Sequence, residues 1–134
     1  MIEEIGVVNE LQPSSNREAL YYILTDGTHI GFYDYDPPYP NAVVVPSPMS
    51  SDQVWDFETQ TWGPSFFLDS NREKEWLTLE MALVAEQLLM LEDDDPLALP
   101  GTDRQWRDYR IKLRAWKEGN VDYPDQTKRP VRPT

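Results

Sequence analysis

The sequence predicts an α+β protein: a small N-terminal antiparallel β meander, two helices, and an extended Pro-rich C-terminal tail. Three observations predict it. Short β-branched and aromatic runs, punctuated by turn dipeptides, fill the chain as far as Gly63-Pro64. Large apolar residues then recur at helical spacing. After Gly119, Pro124, Pro130 and Pro133 leave no room for a regular element.

In chain order, Ile5-Gly6-Val7-Val8 is a possible first strand, followed by a loop through Pro13-Ser14-Ser15. Leu20 to Leu24 and His29 to Tyr33 flank Asp26-Gly27, a dipeptide favoured where both turn residues need positive φ. Asp36-Pro37-Pro38-Tyr39-Pro40 stops regular pairing, and Ala42 to Val45 is a further β-branched run. Val54 to Phe57 and Thr61-Trp62 form a second hairpin. Ser70 with Glu73 reads as a capping box opening a helix whose stripe is Trp76, Leu79, Leu83 and Met90, widened by Leu77, Val84, Leu88 and Leu91. Pro96 stops it after the acidic run Glu92 to Asp95. Thr102 with Gln105 opens a second helix, with Trp106, Tyr109, Leu113 and Trp116 on one stripe and Gly119 at its end. The expected division is residues 1–66, the hairpin region, and 67–134, the helical region with its tail.

A chain of 134 residues is one domain by size, or one body with an appendage. It has no Cys, so disulfides, thiolate nucleophiles and Cys-based metal sites are excluded. The net charge of −12 and a pI near 4.3 argue against nucleic acid as a partner. The N-terminus lacks a signal-peptide pattern, and Met81 to Leu91 is too short and too interrupted to span a bilayer, so a soluble, intracellular protein is expected. The charge is unevenly spread. Residues 103–134 hold nine Lys/Arg and five Asp/Glu, and the remainder holds three and nineteen.

No constellation for bond-making chemistry stands out. His29 is the lone histidine, the six glycines are scattered, and the Glu92 to Asp95 run lacks the alternate spacing of a Ca²⁺ loop. No spacing selects a catalytic pair of carboxylates. No cofactor, metal or small-molecule ligand is expected, and the chain reads as no enzyme. The second helix carries two readings. Its apolar stripe packs on the first helix, with arginines solvated or paired. Alternatively it is a docking ridge, since Trp, Tyr and Arg dominate binding hot spots. The Arg129 to Pro133 tail has the composition of a polyproline ligand, or of a segment that orders on binding.

Leu88-Leu89, Pro100-Gly101-Thr102, Trp106, Tyr109-Arg110, Leu113-Arg114, Tyr123-Pro124-Asp125 and Pro130/Pro133 occur in an order that resembles bacteriophage tail assembly chaperones and tail-fibre assembly proteins. The Tyr-Arg-x-x-Leu-Arg core followed by aromatic-Pro-Asp is the most specific part, and the resemblance covers about residues 86–133. The front half matches in outline, through the Asp-Gly hairpin, Pro40 to Val43 and the Asp56 to Trp62 hairpin. The chain departs from the pattern at Ala85-Glu86-Gln87 and at Glu92 to Asp95, where the family often has Arg-Asn and Asp-Trp.

The resemblance implies a non-enzymatic factor that binds a phage tail-fibre or other tail protein and assists folding, trimerisation or attachment. Its expected place is the cytoplasm of the host bacterium, with possible retention on the virion tail. The alternative is a structural tail or fibre-tip subunit. The expected partner contacts are Trp106, Tyr109, Arg110, Leu113 and Arg114, with Tyr22, Phe32 and Tyr35 second.

Overall fold

The computed structural model describes residues 17–134, and the strand expected at Ile5 to Val8 lies outside them. The chain divides into two units, one ending at Gly63 and the other running from Pro64 to Thr134. The strands precede the helices, and the protein is α+β.

In the first unit, β1 (Leu20–Leu24), β2 (His29–Tyr33) and β3 (Ala42–Val45) form one antiparallel sheet. Its order is β2-β1-β3, so β1 is central and the chain does not run as a meander. The proline-rich segment between β2 and β3 is long enough to carry β3 across to β1. There Val43 and Val45 pair with Ile23 and Tyr21, joining the apolar side chains of one face. The Asp26-Gly27 turn forms where expected, but only Gly27 takes positive φ, at 92°. Gly27 N–H donates to Leu24 C=O at 2.9 Å and Leu24 N–H to Thr28 C=O at 2.8 Å, a three-residue loop rather than a two-residue one. Opposite Tyr22 and Ile23 stand Gly31 and His29, which leaves Ile30 as a bulge.

A second, two-stranded sheet pairs β4 (Trp55–Asp56) with β5 (Thr61–Trp62). The Asp56 carboxylate shapes its turn by accepting from the Glu58 N–H at 2.9 Å. The two sheets share a core of Ile23, Val45 and Trp55, flanked by Tyr21, Val43 and Trp62. His29 links them. Its Nε2 donates to Gln53 C=O at 2.8 Å, which makes Nδ1 the acceptor for the Tyr21 hydroxyl at 2.6 Å. The Gln53 side chain in turn accepts from Met49 and Ser50 N–H and donates to Gly63 C=O.

In the second unit, α1 (Phe66–Glu92) begins earlier than the Ser70/Glu73 pattern predicts. Its cap is Ser65, whose hydroxyl accepts from Leu68 N–H at 3.0 Å. Ser70 and Glu73 are instead buried inside the helix. After the acidic loop, α2 (Asp103–Arg114) opens on the predicted Thr102/Gln105 capping box. It stops at Arg114, before Gly119, with Ala115 as its cap, and Trp116 just beyond it is buried. Tyr109 meets Glu80 and Trp116 meets Glu73, so the helices run antiparallel. Trp106, Tyr109 and Leu113 pack with Val84, surrounded by Trp76, Leu77, Met81, Leu83, Leu88 and Leu91. The final residues form turns, a short 3₁₀ turn (Gln126–Lys128), and an irregular end.

Candidate functional site

Most of the predicted apolar stripe of α1 packs into the core, through Trp76, Leu77, Leu83, Val84, Leu88 and Leu91, but the buried line also carries polar residues and leaves Leu79 out. Ser70, Glu73, Glu80, Val84 and Gln87 are buried, whereas Leu79 is 73% exposed. The inward register runs 73, 77, 80, 84, 87, 91 at steps of three and four, which keeps these side chains on one face. Two carboxylates therefore sit in the interior, where an unpaired charge is costly.

Each is clamped by an arginine from the tail. Arg129 donates from Nε to Glu73 Oε1 at 2.6 Å and from a terminal nitrogen to Oε2 at 2.7 Å. Trp116 Nε1 and Arg72 Nε add donors to the same carboxylate at 3.1 and 2.8 Å. Arg132 forms the same two-pronged pair with Glu80, to which the Tyr109 hydroxyl also donates at 2.7 Å. Seven helical residues rise about 10.5 Å. Three residues of polyproline-like chain rise about 9 Å. Arg129 has that backbone (φ −55°, ψ 148°), and Pro130 follows it, so the two arginines match the two glutamates in pitch. The tail thus runs parallel to α1.

Burial pushes the Glu73 carboxyl up, but hydrogen bonds from Arg129, Arg72 and Trp116 outweigh it and hold it at about 2. Glu80 is lowered by Arg132, against burial and with help from Tyr109. Burial, with the adjacent Glu80 carboxylate, raises the Tyr109 phenol. Arg129 also lies over the Trp76 ring, 4.6 Å from its centre.

The remaining motif residues serve the same clamp. Tyr123 OH donates to Ser70 C=O at 3.2 Å, and Arg72 reaches Pro124 C=O at 3.0 Å across a cis Tyr123-Pro124 bond. The Asp125 carboxylate caps the 3₁₀ turn. Gly101 has φ 117°, and a Cβ there would stand 2.6 Å from the Pro133 Cβ and 2.8 Å from Trp106 Nε1.

The docking-ridge expectation must therefore be corrected for three of its residues. Trp106, Tyr109 and Leu113 are core of the second unit and present no surface to another chain. Tyr22 is likewise buried in the first unit. Phe32 and Tyr35 are exposed, and so is Arg114. The arginines of the tail pair with carboxylates of their own unit. Sequence reasoning does not find Glu73 and Glu80 as partners: their seven-residue separation is visible in the sequence, but only the burial shows that they face inward.

Arg110 has a different setting. It is half-buried at an open groove of about 630 Å³ between α1 and α2, together with Ala85, Leu88, Leu89 and Leu91. Its Nε is buried without a hydrogen-bond partner. Arg107, on the same groove, is held by Asp103 at 2.7 Å. Among the described residues, no group of three or more His, Asp or Glu side chains could hold a metal ion. Among them too, no helix is long and apolar enough to cross a membrane.

No protein-family model matches the chain, and no match was found among curated proteins or solved structures.

Proposed function

We propose that this protein is a non-enzymatic assembly chaperone that binds a phage tail-fibre or other tail protein until it folds, trimerises or attaches. The single observation that carries this reading is apolar surface on an open sheet. Among the described residues β2 and β3 are the outer strands, and on them Phe32 is 59% and Val44 51% exposed. Fibre chains are β-rich, and before trimerisation they expose unpaired strand edges and apolar surface. An outer strand bearing exposed aromatics covers such an edge by strand addition. The net charge of −12 keeps a complex of this kind soluble and repels further copies. The family resemblance points the same way.

Co-expression with a phage tail-fibre protein tests the proposal. The expected result is more soluble, trimeric fibre with this chain than without it, and less when the chain carries Phe32→Asp. Equal yields in all three would refute it. Mass spectrometry of purified particles separates a departing chaperone from a retained tail subunit, which would appear in stoichiometric amount.

A further inference from the structure

We infer that the α1/α2 groove is a peptide-docking site, and that its occupant is a partner segment carrying an apolar side chain beside an Asp or Glu carboxylate. The inference deepens the chaperone reading by adding a second grip to the sheet edge.

Four observations lead to it. The groove sets apolar lining (Ala85, Leu88, Leu89, Leu91) beside the Arg110 cation. Leu89 is 56% exposed on a well-formed helix, an apolar side chain that its own unit leaves uncovered. The other part-buried arginines of this unit, Arg72 and Arg129, meet carboxylates within it, as does the more exposed Arg132. Arg110 Nε, by contrast, is buried with no acceptor. A buried donor without a partner is costly, and a ligand carboxylate would satisfy it with a charge-assisted bond.

Charge decides the class of occupant. Glu92 and Asp103 also line the groove, and Asp103 already neutralises Arg107. One unmatched cation among acids suits a single carboxylate and disfavours a polyanion such as nucleic acid. The volume falls within the roughly 300–1,000 Å³ of ordinary binding clefts, which is room for a few side chains. Glu92 and Asp103 further favour a peptide whose remaining residues carry no other acid.

The test titrates the full chain, followed by NMR, with short acetylated and amidated peptides. One set pairs Leu or Phe with Glu, and the controls replace Glu by Gln or the apolar residue by Ser. The Leu/Glu and Phe/Glu peptides should shift resonances of Leu89 and Arg110 and bind at least about tenfold more tightly than the Gln controls. Arg110→Gln should abolish that preference, Leu89→Glu should abolish binding, and Lys117→Gln, at an exposed cation outside the groove, should change neither. Circular dichroism confirms that each variant is folded.

The inference is overturned by equal affinity for Glu and Gln peptides, by shifts confined to other surfaces, or by decanoate binding as tightly as the best peptide. It also falls if a second copy fills the groove, seen as dimerisation lost in Leu89→Glu, or if the chain's own residues already contact Leu89 and Arg110 without peptide. No fibre protein enters this experiment, so it can fail while the chaperone proposal stands, and the co-expression test can fail while this one succeeds.

Discussion

The two units solve the same problem, a small core, with opposite chemistry. The first is held by rings. Tyr21 packs edge-to-face on Phe32 at 5.0 Å and on Trp62 at 6.2 Å, and Trp55 packs on Trp62 at 5.2 Å. The second places two ionised carboxylates at its centre and closes over them with Arg129 and Arg132. Ring packing is tolerant of substitution because area is largely interchangeable. A buried ion pair is not, because removing one partner strands the other. Its contribution here lies in alignment: a tail whose arginines are three residues apart fits only one register along α1.

The largest expected effect breaks the clamp. Glu73→Ala leaves Arg129, Arg72 and Trp116 Nε1 without their acceptor and should cost about 3–5 kcal/mol. Hydrogen exchange followed by mass spectrometry should show the second unit opening while the strands of the first keep their protection. Full protection of the tail in this variant would show that the clamp is dispensable.

Acid should act on the same contrast. The Glu73 carboxyl is held at about 2 against an ordinary 4.5, so the folded state favours its ionised form. The stabilisation is complete above pH 4.5 and is lost as pH falls towards 2, with Glu80 shifted in the same direction. Asp26 and Asp56 of the first unit are also lowered, by backbone N–H donors, but both are solvent-exposed, so screening keeps their effect small. Tryptophan fluorescence and exchange between pH 4.5 and 2 should therefore report the second unit loosening first. Simultaneous loss of both units would remove the distinction.

Two smaller changes sharpen it. Thr102→Ala removes the α2 cap and should cost about 1 kcal/mol by denaturant unfolding. Trp55→Phe keeps a ring in the first core and deletes an indole N–H that is buried without a partner, so a loss under about 1.5 kcal/mol is expected. A loss as large as that of Glu73→Ala would mean that the first core depends on one exact shape.

Much of the architecture was legible in the chain. Alternation and β-branching located β1, β2 and β3, Asp26-Gly27 marked the turn, and Thr102/Gln105 marked the start of α2. Ser65 was missed because Ser70/Glu73 imitates a cap, and Ser65 is recognisable only as the residue that accepts from Leu68. The partner surface was misplaced for a related reason. Trp, Tyr and Arg on one helix look alike whether they face a neighbour or their own core, and Trp106, Tyr109 and Leu113 face the core.

Local propensity and turn chemistry, which act over a few neighbouring residues, thus determined the element types, their order and the separation of strands from helices. Tertiary structure alone decided that β3 crosses to β1, that Glu73 and Glu80 turn inward, and that Arg129 and Arg132 reach back 56 and 52 residues to meet them. Those outcomes rest on desolvation and charge pairing between distant segments. Neither can be read from a residue until its surroundings are known.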